Sequence, residues 1–412
     1  MYDIIIIGSG PSSCFMTYYL LKYYQYSICL ITNKLQEFHC TYGIFKKQLE
    51  DGWFLEKDNF SDCFINEFNC QIQSINRKSL KIKDERYMLL DNKKCFKKLL
   101  DFFKSKELDI IEAYVYKIDE DNNNKRVYFK KNNKEKVRES KLVIEGTGHK
   151  KSIGINYIAD VPITYQSFFG YKLKTSKPHG IKDVILMDWY EITINDDSDI
   201  PSFCYFIPYS DNILLAEETV IIHLDNDINY LEILELRLKK RLKKYNIKYE
   251  IISKENGRIS VNRFIPDSNS LSFGIGVNGN IVSPISGYSV GLNIHNIPII
   301  TELIKKNNLN TKKIYQSYWN FFRKLIFLIN YSGNKLVLSF KNNQESSQFF
   351  YNFISKTNNN KEQFNIVFHN IYGDKLKFLM TCYIYLFMSK KITLKLLYNS
   401  LIIFILYFYS FF

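Results

Sequence analysis

The chain has 412 residues, 46% of them hydrophobic and 16% aromatic, which is room for a large core and about two to three domains. Its formal net charge of +14 favours anionic partners, yet the charge is diffuse, and the wealth of Lys, Asn, Ile, Tyr and Phe matches an AT-biased coding sequence. There is no arginine-rich arm and no zinc spacing, and the six scattered histidines form no HxxxH or HExxH, so neither nucleic acid nor a metal is an expected partner.

Residues 4–7 (IIII) are a continuous apolar run, as in a parallel strand buried on both faces. Residues 13–24 carry Phe15, Tyr18, Tyr19 and Leu20 at helical spacing, and 27–31 (SICLI) read as a second strand. The start is therefore βαβ, with Gly8 and Gly10 in the first turn, then Pro11, then Ser13 where a third glycine is usual. In such a unit the first glycine permits the tight turn. The second lets the backbone approach a pyrophosphate at the helix N-terminus, and the third allows close helix–strand packing. Ser13 is small enough for that place at some cost in packing. An acidic residue usually ends the second strand and binds a ribose hydroxyl; here Thr32 and Asn33 stand there, and Thr32 keeps only a hydroxyl for the task.

Residues 155–262 read as strand-rich, with loops at 178–180, 195–198 and 209–212 and a helix over 230–245. The basic cluster 238–244 (LKKRLKK) reads as a solvated helix face. Residues 273–279 (FGIGVNG) read as a strand entering a glycine-rich turn, and a helix starts at Val290. From about residue 300 the pattern is helical, broken by a polar loop at 356–361, and no internal repeat is present. Eight cysteines without a CxxC pair point to reduced thiols in a reducing compartment. With the first strand starting at Tyr2, no signal or transit sequence is expected. Residues 378–388 and 396–412 (LLYNSLIIFILYFYSFF) are almost wholly apolar and flanked by Lys390, Lys391 and Lys395. They are short for a span, so a peripheral or monotopic, in-plane membrane helix is the expectation. The divisions expected are a discontinuous nucleotide-binding domain (1–150 and 264–300), a strand-rich substrate domain (151–263) and a helical, membrane-associating region (301–412).

The βαβ start leaves NAD and FAD open. Later stretches decide between them: TYGIFKKQL (41–49), YMLLDNKKCFKKLL (87–100), LVIEGTGHK (142–150), TYQSFFGYKL (164–173), LMDWY (186–190), PSFCYFIPYS (201–210), LLAEETV (214–220) and GIGVNGNIVSPISGYSVG (274–291). In that order and spacing, from residue 1 to about 340, the chain resembles the flavoprotein lycopene cyclases of cyanobacteria and plastids, which form β- or ε-ionone rings. The resemblance implies an α/β fold: a Rossmann-type, glutathione-reductase-like FAD-binding domain with a strand-rich substrate domain. It implies FAD contacts at Gly8, Gly10, Pro11, Ser13 and Thr32, at Gly146, Thr147 and Gly148, and at Gly274, Gly276, Pro284, Gly287 and Tyr288. It also implies that the FAD works reduced, with NADPH as the reductant, although no separate nicotinamide site is recognisable.

Cyclisation of lycopene needs an acid in an oily pocket, stabilisation of a carbocation and a base for the departing proton. Burial raises a carboxyl pKa and keeps its proton near neutral pH. LLAEETV reads as a strand, so Glu217 and Glu218 point to opposite faces and only one meets the apolar interior. Without the family, two exposed strand-end carboxylates are the plainer reading; the resemblance makes Glu217 the acid. Asp188 is the second carboxylate, positioned to orient the acid or take part in proton transfer. The family's arginine after MDW is Tyr190 here, which removes a cationic neighbour. Trp189, Phe203, Tyr205, Tyr165 and Phe169 are candidates for an aromatic wall around the cation. Further departures are Lys47 and Gln48 for an acidic pair, and Asn280 and Ser283 for a glycine and a histidine. The expected partners are a lipophilic carotenoid and a membrane surface of plastid or cyanobacterial type, with β-rings preferred over ε. The alternatives are a related FAD-dependent isoprenoid reductase or hydroxylase, and a degenerate, non-catalytic flavoprotein.

Overall fold

A computed structural model describes residues 1–51, 54–122, 124–148, 152–190, 200–224, 228–284 and 286–357. Its first part runs β1 (Tyr2–Ile7), α1 (Pro11–Tyr23), β2 (Ile28–Thr32), β3 (Gly43–Phe45), α2 (Lys46–Asp51), α3 (Phe54–Lys57), β4 (Phe64–Gln73), β5 (Ser79–Leu90), α4 (Asn92–Ser105), β6 (Asp109–Glu112), β7 (Tyr114–Asp121), β8 (Asn124–Lys131) and β9 (Lys134–Glu145). Next come β10 (Thr164–Thr175), β11 (Val184–Asp188), β12 (Ser202–Ser210), β13 (Ile213–Val220), β14 (His223–Leu224), α5 (Tyr230–Lys244), β15 (Tyr249–Asn262) and β16 (Phe273–Gly274). Helices α6 (Val290–Lys306), α7 (Thr311–Tyr318), α8 (Phe321–Leu338) and α9 (Asn343–Thr357) follow.

The first sheet has the order β6-β2-β1-β9-β8-β7, with β16 also against β9. β6, β2, β1 and β9 are parallel, and β7, β8 and β9 form an antiparallel meander. The four-isoleucine run is explained by this position. Ile4 and Ile6 pack with α1 and α6 residues such as Phe15 and Ile297, while Ile5 and Ile7 pack with Val127 and Phe129. Each fully buried isoleucine contributes roughly 1.5–3 kcal/mol.

The second sheet runs β15-β10-β13-β12-β11-β4-β5-β3, with β14 extending the pairing at one end of β10. This differs from the 1–150 division read from the sequence, because β3, β4 and β5 lie in the second sheet. The link is the parallel pairing of β11 with β4, Val184 opposite Cys70. Such a long-range register leaves no local trace in the sequence. Helices α8 and α9 cover part of this sheet: Leu336, Phe349, Phe350 and Phe353 share a core with Trp189 and Phe203. Helix α5 covers the other face through Leu234, Leu238 and Leu242.

In the LKKRLKK segment Lys239, Lys243 and Lys244 are exposed, but Arg241 is fully buried, so the cluster is not simply a solvated face. Over 273–279 a short strand, Phe273–Gly274, enters the glycine-rich turn as expected. The polar stretch 356–361 begins inside α9, and its remainder lies outside the described residues, as do 195–198, 378–388 and 396–412. Among the described residues no helix is long and apolar enough to cross a membrane.

Candidate functional site

A cavity of about 460 Å³ lies between the two sheets. On one side it is lined by the first turn (Gly10, Pro11, Ser12, Ser13), by Gly146 and Gly148 after β9, and by Gly276, Gly287 and Tyr288. On the other side are Phe168, Tyr205, Leu215 and Glu217 of the second sheet, closed by Tyr87 and the 39–43 loop. The first-turn residues form a nucleotide cradle. Gly8 has φ +102°, and a Cβ there would sit 2.5 Å from the Gly146 carbonyl oxygen, so the turn needs glycine. A Cβ on Gly10 would meet nothing within 4 Å, which leaves open space over the α1 N-terminus. That end has no side-chain cap and no acid in its first turn, so its N–H groups suit an anion. Ser13 and Ser286 both line the cavity, and among the described residues their buried hydroxyls have no partner. Open cradle, uncapped helix end and orphan hydroxyls fit the diphosphate of FAD.

Other expected cofactor contacts lie beside this cavity rather than on its wall. The Thr32 hydroxyl pairs with Ser9 Oγ at 2.8 Å, so its side chain is engaged within the protein. Thr147 donates to Glu145 Oε1 at 3.1 Å, Gly274 is packed against Gly279, and the Pro284 carbonyl accepts from Asn334 Nδ2 at 2.6 Å. Glu145, which sequence reasoning passed over, organises this region. Fully buried, it accepts from the hydroxyls of Thr147, Ser152 and Ser272 and from the N–H groups of Ile153 and Gly154.

The substrate side is built from two rows of residues on opposite faces of the second sheet. Glu255, Gly170, Glu217 and Tyr205 are register partners across β15, β10, β13 and β12. Phe169, Glu218, Cys204 and Asp188 are register partners across β10, β13, β12 and β11. Cross-strand partners share a face, and neighbours along a strand do not. Glu217 and Glu218 therefore point apart.

In the first row Glu217 reaches the cavity wall. Its Oε1 accepts from the Thr219 hydroxyl at 3.2 Å. Burial, with the carboxyl of Glu255 alongside, pushes its pKa well above the ordinary glutamate value. Glu255 Oε2 accepts from the Thr41 N–H at 2.9 Å and the Thr41 hydroxyl at 3.0 Å, while its Oε1 is buried without a partner. The missing side chain of Gly170 leaves room for both: a Cβ there would lie 3.2 Å from Glu217 Cβ and 3.2 Å from Glu255 Cγ. Glu255 carries no sequence signal of its own. It lies in an exposed-looking ENGR stretch and becomes visible only through the β10–β15 register.

In the second row Arg241 of α5 joins both acids. Its Nε and Nη2 donate to Glu218 at 2.8 and 3.0 Å, and its Nη1 donates to Asp188 at 3.2 Å and to the Tyr190 carbonyl at 2.8 Å. All three side chains are completely buried. The Ser202 hydroxyl also donates to Glu218, and that of Tyr245 to Asp188. Burial raises the Asp188 pKa, against the pull of Arg241. Asp188 and Glu218 thus belong to a buried ion cluster on the face away from the cavity, where neither touches the space a substrate would enter. Asp188 also keeps a cationic neighbour, because Arg241 supplies what the tyrosine at position 190 lacks.

Of the aromatic candidates, Tyr205 lines the cavity. Trp189 and Phe203 form the layer behind it, with ring centroids 5.4 Å apart and Phe350 stacked 5.9 Å from Trp189. Phe169 packs edge-on against Tyr171 in the core beneath α5, and Tyr165 lies under the Arg258 guanidinium at 3.5 Å. Alternation along β10 explains the miss: Phe168, with the parity of Gly170, faces the cavity instead of Phe169.

The unusual residues are accommodated locally. A Cβ on Gly146 would strike the Ser13 hydroxyl, so the space of the absent third glycine is supplied across the contact. Asn280 adopts φ 55°, the left-handed backbone that glycine would take and asparagine tolerates. Gln48 is buried against Gly291 and accepts from the Phe45 N–H at 3.2 Å.

The family model described as lycopene cyclase protein matches residues 3–355. Among curated relatives, the chloroplastic neoxanthin synthase of Solanum tuberosum is 24% identical over 335 residues, 77% of this chain and 64% of that protein. The chromoplastic capsanthin/capsorubin synthase of Capsicum annuum is 23% identical over the same shares, and the chloroplastic lycopene beta cyclase of Arabidopsis thaliana is 26% identical over 40% of this chain and 34% of its own. The chain thus matches somewhat under two thirds of the length of the first of these relatives. Among solved structures, a geranylgeranyl bacteriochlorophyll reductase-like protein of Thermoplasma acidophilum superposes with TM-score 0.70 at 15% identity, covering 97% of this chain and 99% of the other. A triple mutant of the flavin-dependent brominase Bmp2 gives 0.60 at 15%, covering 93% and 98%. These establish the fold as the FAD-binding Rossmann type.

Proposed function

The chain belongs to the lycopene cyclase protein family, and on that premise we propose that it closes the ends of a linear carotenoid by redox-neutral, acid-catalysed cyclisation. One observation carries the reading: a glutamate with a raised pKa stands at the wall of an aromatic cavity that continues into a nucleotide cradle. Glu217 gives its proton to the terminal double bond, and the neighbouring double bond attacks the resulting cation to close the ring. A proton beside the new cation then returns to the Glu217 carboxylate. One proton enters and one leaves, and no electrons are transferred. The position of the departing proton separates β from ε rings, with β preferred. Tyr205, Tyr87 and Phe168 offer ring faces to the passing cation.

Gly10, Pro11, Ser12, Ser13, Gly146, Gly148, Gly276 and Gly287 would hold the FAD. When bound in its reduced form, with NADPH as the reductant, FAD would supply electron density that offsets positive charge in the pocket. Lycopene is a membrane solute, so the apolar run at 396–412 is given the task of seating the enzyme on a bilayer. The chloroplastic relatives make a plastid-type membrane the preferred site.

Two of the relatives are named for neoxanthin and for capsanthin or capsorubin, which favours, as second reading, a carotenoid other than lycopene. Expression in lycopene-accumulating cells separates the readings. Ringed products support cyclisation, with Glu217→Gln expected to abolish them while FAD stays bound. Unchanged lycopene beside converted oxygenated carotenoids supports the second reading. Oxygen and NAD(P)H consumed in step with product would indicate a hydroxylase, and protein that never retains FAD would indicate a degenerate flavoprotein.

A further inference from the structure

We infer that Glu217 and Glu255 share a single proton across Gly170, with Glu255 acting as the positioning residue that keeps the proton on Glu217 and aims it into the cavity. The shared proton rests on the register, the glycine gap and the surroundings of the pair; its catalytic meaning rests on the cyclase reading. The two glutamates flank Gly170 in register on the strands either side of β10, and the missing Cβ of the glycine, which would lie 3.2 Å from Glu217 Cβ and 3.2 Å from Glu255 Cγ, lets the two side chains approach each other. Among the described residues, no cation is one of the groups that shift Glu217. Two ionised carboxylates at this spacing would repel without compensation. Glu255 Oε1 is buried with no donor, and a proton between the carboxyls supplies one.

The asymmetry of the surroundings decides which oxygen holds that proton. Glu255 Oε2 takes two donors from Thr41, backbone and hydroxyl, and leaves Oε1 free to accept. Glu217 takes one hydroxyl, from Thr219. Glu255 is therefore the anionic member and Glu217 the acid. Other charged and titratable groups lie around the pair. Burial pushes the Cys40 thiol up to about 12 and holds the phenols of Tyr87, Tyr205 and Tyr209 above their ordinary value. Arg258 lies over Tyr165 at 3.5 Å and Lys172 over Tyr209 at 4.0 Å. His39 is exposed at the cavity mouth beside Gln36.

The test is infrared titration of the protonated-carboxyl C=O band in FAD-loaded protein, run beside the pH profile of turnover. Glu255→Gln removes the like charge, so the band and the alkaline limb of activity should both move acidward, by about one pH unit or more. FAD content and unfolding temperature report whether the variant is folded. If Glu255→Gln does not fold, Gly170→Ala provides the second reading, since its methyl wedges the carboxyls apart and should give the same acidward shift. A band shift supports the shared proton whether or not the protein cyclises lycopene, so a failed cyclase assay removes only the functional reading. A band that titrates identically in parent and folded variant overturns the proposal.

Discussion

Glu217 and Glu218 are adjacent, chemically identical and both withdrawn from solvent, yet the two faces of β13 treat them in opposite ways. Glu218 meets Arg241 in a two-pronged ion pair with Ser202 and Asp188 close by. Among the described residues no cation acts on Glu217; burial and the Glu255 carboxyl raise its pKa, so it is held as an acid. The one-residue alternation of a strand is what separates a buried structural charge from a proton donor. The same contrast explains how an arginine missing after MDW is tolerated. Arg241, from a helix instead of the strand, restores charge balance on the structural face.

The largest effect expected is on chemistry. Glu217→Gln should lower turnover by about 10²–10⁴-fold or more, the usual contribution of a general acid, with FAD retained as judged by its absorbance. Glu218→Gln should instead act mainly on folding, so equal losses of turnover at equal stability would break the contrast. Next comes Arg241→Met, which strands two buried carboxylates and should cost about 3–5 kcal/mol in denaturant unfolding. Removing Asp188, Glu218 and Arg241 together for apolar residues should recover much of that loss.

A third test uses pH. Glu217 has a raised native pKa, so above its ordinary value of 4.5 the native state binds more protons than the unfolded chain. Stability should therefore fall as pH rises from there toward the native pKa, and Glu217→Gln should flatten that limb in thermal melts across pH. The smallest effect concerns the first turn. Ser13→Ala removes an orphan buried hydroxyl and should raise the stability of FAD-free protein by about 1 kcal/mol. Gly146→Ala should be markedly better tolerated in that background than alone, because its methyl strikes the Ser13 hydroxyl.

The βαβ start was legible because its signals are local: an apolar run, a glycine turn and helical spacing. The opposed directions of Glu217 and Glu218 were legible for the same reason, since strand parity needs only a few residues. What could not be read depends on register between distant segments. Glu255 gains its meaning from the β10–β15 pairing, and Arg241 hides in a basic cluster whose other charges are solvated. That Phe168 and not Phe169 faces the cavity follows from the parity set by the pairing of Gly170 with Glu217, which composition cannot supply. The placing of β3, β4 and β5 in the second sheet likewise follows from a parallel pairing across a long separation.

The most direct measurement is the infrared spectrum of FAD-loaded protein at neutral pH, comparing parent, Glu217→Gln and Glu218→Gln for the C=O stretch of a protonated carboxyl. The band should be present in the parent, absent in Glu217→Gln and retained in Glu218→Gln. A band that survives Glu217→Gln and disappears with Glu218→Gln would contradict the assignment of acid and anion to the two faces of β13.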